Sequence, residues 1–201
     1  MKKLNSSLTN MVLVLTCVAV VMGSVLALMN EVTKDPIAQQ KQLALEKGIK
    51  DVMPAASGEL TVAEPDTVKG TFDKKECTFI IHRVSDASGQ SIGAAVESTT
   101  LGYGGNLKVL VGLQPDGTVS GYTLLEMNET PGLGAKADKW FQSDGKGSII
   151  GKQLAPKSLL DVKPAKGGKG DVEAITASTI TTRAFLKAVN QAYLTYIKTA
   201  E

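Results

Sequence analysis

Between Ala174 and Thr182 the chain reads Ala-Ile-Thr-Ala-Ser-Thr-Ile-Thr-Thr, and an amphipathic segment follows at once. Hydroxyls gathered at a helix entrance suit an anion, because the first backbone N–H groups of a helix lack intrahelical acceptors and carry the positive end of its dipole. The chemistry these residue types support is the seating of a phosphate, with Ser178, Thr179, Thr181 and Thr182 supplying the hydroxyls. A plain helix cap or strand edge uses the same residues, since Ser and Thr are common in both places. On residue types alone the cap is the simpler account.

A second segment, Glu129-Thr130-Pro131-Gly132-Leu133-Gly134-Ala135-Lys136, places two glycines around one leucine. Glycine lets a backbone approach a flat ligand closely, with N–H groups turned to its polar edge, and Leu133 could then pack on a ring face. A strand-to-helix turn that needs glycine for positive φ explains the segment as well, and more simply. The single histidine, His82, sits in an apolar-rich run and reads as a surface or satisfied core residue ahead of a proton relay. With one His and two Cys at no close spacing, the chain offers no metal-ligand pattern.

These segments need a scaffold, and the chain supplies one. Met11 to Met29 carries no charge and, as a helix, spans about 28 Å, close to the hydrocarbon thickness of a bilayer. Lys2 and Lys3 precede it, which assigns residues 1–10 to the cytoplasm, 11–29 to a transmembrane helix and the rest to the outer side. A cleaved signal peptide is the competing account, with Val25 and Ala27 suitably placed, but this run exceeds the usual h-region of about 7–15 residues. Thr16 before Cys17 does not suit a lipoprotein signal. Residues 30–54 read as a linker helix, with Asp35 as N-cap, Pro36 at the first helical position and Pro54 as its stop.

Residues 55–201 then form one domain. Cys77–Val84 with Ile92–Ser98, and Leu107–Leu113 with Val119–Glu126, read as two hairpins, the second turning at Gln114-Pro115-Asp116-Gly117. Ala135–Gln142 reads as a short helix and Lys163–Gly170 as a mobile loop with a solvated lysine set, Lys163, Lys166 and Lys169. From Thr182 to Thr199, Phe185, Val189, Ala192, Tyr193 and Tyr196 form one helical stripe. The expected class is α+β: a single N-terminal transmembrane helix, a largely antiparallel sheet and a C-terminal helix. Charge is nearly balanced, with 22 basic against 20 acidic residues, and no basic stripe carries aromatics, so nucleic acid is excluded as a partner. Cys17 lies in the membrane run and Cys77 in the domain, so no internal disulfide staples the fold.

Four segments in order share a resemblance. Asp171 to Thr182 is similar to the flavinylation motif of two families, the G subunits of Rnf electron-transport complexes and the C subunits of sodium-pumping NADH:quinone reductases. Glu129-Thr130-Pro131-Gly132-Leu133-Gly134, Gly102-Tyr103-Gly104-Gly105-Asn106-Leu107-Lys108-Val109 and Asp35-Pro36-Ile37-Ala38 resemble further segments of the same families. Length suits the Rnf family better. In the families' motif, Gly and Ala stand where this chain has Ala177 and Ser178.

The resemblance implies a membrane-anchored FMN-binding domain with the FMN phosphate esterified to Thr179, and Ser178 as a rival acceptor one residue away. Thr130, Gly132, Leu133 and Gly134 would line the ring, while Thr181 and Thr182 would add donors to the phosphate. It implies a redox component, not catalytic alone, of a translocase that couples ferredoxin oxidation and NAD reduction to sodium or proton movement. Its partners would be the other integral and peripheral Rnf subunits, the membrane, and a flavin transferase for maturation. Its place would be the cytoplasmic (inner) membrane, with the soluble domain on the extracytoplasmic or periplasmic side. Beside the flavin, Glu129 reads as a solvated loop carboxylate ahead of a residue tuning its potential, and Trp140 and Phe141 as core. The alternatives are the C subunit of the quinone reductase and a non-redox module that binds an anionic ligand.

Overall fold

A computed structural model describes residues 7–53, 60–72, 75–163 and 170–200. The chain divides into two units, Met1–Leu43 and Ala44–Glu201.

In the first unit the described residues from Leu8 onward are helix, the greater part of α1 (Leu8–Val52). Its apolar side chains from Leu8 to Met29 are exposed, and its residues 11–29 match in length and composition what a membrane span needs. Thr16, Ser24 and Thr33 bond back to the carbonyls of Val12, Val20 and Met29, at 2.9, 2.8 and 2.7 Å. Such local bonds satisfy hydroxyls that a lipid environment could not. The helix does not restart at Asp35: Pro36 lies inside α1, so Asp35 is no N-cap and the linker helix is the same helix. Proline there forgoes one backbone hydrogen bond, which the rest of a long helix outweighs.

In the second unit the strands are β1 (Thr61–Val62), β2 (Asp66–Phe72), β3 (Lys75–Ser85), β4 (Ser91–Leu101), β5 (Asn106–Leu113) and β6 (Val119–Met127). All pairings are antiparallel, in the order β1-β3-β4-β5-β6, with β2 also pairing along the edge of β3. Both hairpins read from the sequence are present, each strand reaching a residue or more further. The two short edge strands β1 and β2 are additions to that reading. After β6 come a 3₁₀ turn (Gly134–Lys136), the short α2 (Ala137–Trp140), an irregular stretch, and α3 (Thr179–Ala200).

Both faces of the sheet are covered. On one, Phe79, Ile81, Val96, Val109 and Val111 share a core with Phe185, Val189 and Ala192 of α3. On the other, Val84, Ala95 and Leu110 pack with Ile49, Val52 and Met53 at the end of α1. This explains the burial of consecutive residues in β5: a strand covered on both sides cannot alternate buried with exposed. Each Val, Leu, Ile, Phe or Met side chain among these core residues contributes about 1.5–3 kcal/mol on burial. Gly48 admits the close helix–sheet approach, since a Cβ there would lie 2.8 Å from Thr123 Cγ2.

Aromatic rings fix the segment after β6. Phe141 stacks on Phe185 with centroids 4.2 Å apart, and Tyr122 meets Phe185 edge-on at 4.8 Å. Tyr122 Oη donates to the Ala137 carbonyl at 2.6 Å, and burial raises its phenol above the ordinary value. Trp140, half-buried, donates its indole N–H to the Glu173 carbonyl. Phe141 is therefore a core residue and Trp140 packs against the core, so both serve packing as the sequence indicated. His82 is buried as well, its Nε2 2.8 Å from Glu97 Oε1. Most of the Lys163–Gly170 loop lies outside the described residues.

Candidate functional site

Three loops converge on one cavity of about 460 Å³, within the usual range of small-molecule sites. The first is Gly102–Gly105 between β4 and β5, closed by the Gly102 N–H donating to the Gly105 carbonyl at 2.8 Å. The second is Asn128–Leu133 after β6, where the N–H groups of Leu133 and Ala135 both donate to the Thr130 carbonyl at 3.2 Å. The third is the turn into α3, in which the Ser178 N–H donates to Ile175 at 2.9 Å and the Ser178 carbonyl accepts the first helical bond from Thr182. Two segments singled out by residue type and a third, Gly102–Gly105, known only through the resemblance are thus brought together.

Of the residues expected at the site, Thr130, Leu133, Gly134, Ser178, Thr179 and Thr181 line the cavity. Gly132 does not; it is exposed, and its φ of 78° makes the turn that presents Leu133. Thr182 does not either. It is fully buried, its hydroxyl donating to the Ser178 carbonyl at 3.0 Å and accepting from the Ile175 N–H at 3.1 Å. Its role is to brace the turn. Tyr103, Ala177 and Ile180 line the cavity too, and residue types alone gave no signal for them.

The backbone at Ala177 sets the shape of the third loop. Ala177 has φ of 61°, the left-handed region that costs a non-glycine residue about 1–2 kcal/mol. This turn tips the chain so that Ser178 is buried while Thr179, at the first position of α3, is exposed in the cavity wall. The helix begins three residues earlier than the apolar stripe indicates, because Thr179, Ile180 and Thr181 belong to its first turn. Ile180 is 58 % exposed and Leu133 41 %, so apolar surface rims the opening.

Glu129 is not solvated. It is only 9 % exposed, and its Oε1 accepts from the Tyr103 N–H at 2.7 Å while Oε2 accepts from Thr181 Oγ1 at 3.0 Å. One carboxylate therefore joins all three loops. Gly102 and Gly134 make room for it: a Cβ on Gly134 would lie 2.6 Å from Glu129 Oε2, and one on Gly102 would collide with Oε1.

The residues fit a flavin mononucleotide. Leu133 and Ile180 offer apolar surface to a ring, and a helix start with an exposed hydroxyl, Thr179, suits a phosphate. Residues 102–194 match the FMN-binding domain family, and residues 1–52 match the RnfG N-terminal region. The G subunit of the Na(+)-translocating ferredoxin:NAD(+) oxidoreductase complex of Acetobacterium woodii is 32% identical, with 92% of this chain and 89% of the relative covered. The G subunit of an ion-translocating oxidoreductase complex from Vibrio atlanticus is 34% identical, covering 90% and 86%. Among solved structures, the C subunit of the Na(+)-translocating NADH-quinone reductase of Parabacteroides distasonis is 18% identical with a TM-score of 0.53, over 80% of this chain and 94% of that one. That likeness speaks for the fold.

Proposed function

Because the chain belongs to the family of G subunits of ion-translocating oxidoreductase complexes, we propose that it holds FMN as a phosphoester on Thr179 and passes electrons within such a complex. The observation that carries this reading is the contrast among three neighbouring hydroxyl residues. Thr179 is exposed in the cavity wall at the first helical position, whereas Ser178 is 8 % exposed and Thr182 fully buried. Of these three, Thr179 is the one whose side chain is open to a donor without unwinding the turn.

Attachment forms the Thr179 Oγ–phosphorus bond as the bond from that phosphorus to AMP in an FAD donor breaks. AMP leaves, and the hydroxyl proton passes to a group on a separate flavin transferase. Within this chain the first turn of α3 then stabilises the phosphate by about 0.3–1 kcal/mol of dipole interaction, besides N–H bonds. Thr130, Leu133 and Gly134, which line the cavity, would hold the ring. Bound there, FMN supplies one- and two-electron chemistry, and the protein supplies position and electrostatics. The positive flank at Lys2 and Lys3 favours an outward-facing domain, and a covalent link keeps the cofactor there, where free FMN would diffuse away. Coupling to sodium or proton movement belongs to the assembled complex.

The test is co-expression of the full chain with a flavin transferase, followed by a denaturing gel viewed for flavin fluorescence. A fluorescent band that disappears in Thr179→Val and persists in Ser178→Ala supports the reading. A dark wild-type band favours a reversible anion-binding module.

A further inference from the structure

The cavity lining holds one charged side chain, Glu129, and nothing in the proposed attachment uses it. Its burial and its two contacts give it two separable properties. It is a clamp, because Oε1 holds the β4–β5 loop by the Tyr103 N–H and Oε2 holds the first turn of α3 by Thr181 Oγ1. It is also a fixed charge. Both partners are neutral groups, no ion pair to Glu129 forms among the described residues, and a charge removed from water acts over a longer reach than one at the surface. A loop placed only for shape would not need a carboxylate whose neighbours, Gly102 and Gly134, must both lack a side chain to admit it.

We propose that Glu129 is a positioning residue that assembles the flavin cradle from three loops and, through its charge facing the cavity, holds the reduction potential of the bound flavin down. This rests on the flavoprotein reading above. Thr181 stands two residues beyond Thr179, so anchoring its hydroxyl fixes the helical turn that carries the acceptor. A carboxylate beside the ring disfavours electron uptake that is not matched by a proton, which lowers the potential relative to a neutral residue in the same place.

Glutamine separates the two properties. In Glu129→Gln the amide oxygen can still accept from the Tyr103 N–H, and the amide N–H can donate to Thr181 Oγ1, because a hydroxyl accepts as readily as it donates. Shape and both hydrogen bonds survive, and the charge does not. Glu129→Ala removes all three.

The experiment takes the full chain, co-expressed with a flavin transferase, through three measurements: flavin loading, melting of the unloaded chain, and the flavin midpoint potential by redox titration. Glu129→Gln is expected to load FMN and melt like the wild type, with its midpoint potential shifted upward. Glu129→Ala is expected to melt lower when unloaded and to load severalfold less FMN. A Glu129→Gln potential equal to that of the wild type overturns the electrostatic role. A Glu129→Ala chain that melts and loads normally overturns the clamp. If the wild-type chain takes up no FMN, the flavoprotein reading falls and the electrostatic role with it, while the unloaded melting curves still decide the clamp.

Discussion

The ring of Phe141 lies flat on that of Phe185, with centroids 4.2 Å apart and planes 6° from parallel. Phe141 follows the 3₁₀ turn and α2, and Phe185 lies in the second turn of α3, so this contact ties the segment after the second loop to the helix that the third loop opens. Both side chains are fully buried. Phe185→Ala is expected to cost about 3–5 kcal/mol, from lost transfer energy and the cavity left behind. Denaturant unfolding of the full chain in detergent checks it; a loss under about 1 kcal/mol would mean the site collapses around the gap.

Ala177 is a place where the sequence works against its own turn. The families that the motif resembles have glycine there, and φ of 61° explains the preference. Ala177→Gly should relieve about 1–2 kcal/mol of backbone strain, partly offset by the greater freedom of glycine in the unfolded chain, roughly 0.4–1 kcal/mol. The expected net gain is about 0.5–1 kcal/mol, read as a higher denaturation midpoint, with flavin loading retained. Ala177→Val should move the midpoint the other way.

Two glycines in one loop should respond differently to alanine. At Gly134 a Cβ would lie 2.6 Å from Glu129 Oε2 and 2.8 Å from Thr181 Oγ1, both held in place. At Gly132 nothing lies within 4 Å, and only φ of 78° opposes a side chain. Gly134→Ala is therefore expected to cost about 1–3 kcal/mol through overpacking and to cut flavin loading. Gly132→Ala should cost about 1 kcal/mol and leave loading nearly intact. Melting and in-gel fluorescence of the two variants, side by side, check the ordering.

Glu97 gives the protein an acid limit. Burial pushes its carboxyl up, but hydrogen bonds from His82 and Lys108, with their charges, outweigh burial and hold it below its ordinary value of 4.5. A carboxyl depressed on folding stabilises fully above its unfolded value and loses that contribution as pH falls through the folded value. Stability should thus decline below about pH 4.5. Glu97→Gln should be less stable at neutral pH and lose less on acidification, so the two stability–pH curves converge. Parallel curves would show that Glu97 is not the group responsible.

Much of this was legible in the residues. Gln114-Pro115-Asp116-Gly117 gave the second hairpin because its turn chemistry is local, and the stripe from Phe185 to Tyr196 gave α3 because burial on one face imposes a helical period. Of the three segments that make the cavity, the hydroxyl run and the Gly-Leu-Gly loop stood out by residue type, and the Gly102 loop only through the resemblance. What escaped depended on distant partners. Pro36 looked like a helix start because local preference does not register the length of the helix around it. β2 is a mostly exposed edge strand with little apolar signal, fixed by pairing with β3. Glu129 looked like a surface carboxylate because its partners, Tyr103 and Thr181, lie 26 and 52 positions away in the chain. Tyr103 enters the site through the same pairing.

The most direct measurement is the intact mass of the full chain purified from membranes after co-expression with a flavin transferase. The account expects a polypeptide heavier by one FMN less one water, with the added mass on the peptide containing Thr179 and absent in Thr179→Val. A wild-type chain with the mass of the bare polypeptide, or a Thr179→Val chain that still carries FMN, would contradict it.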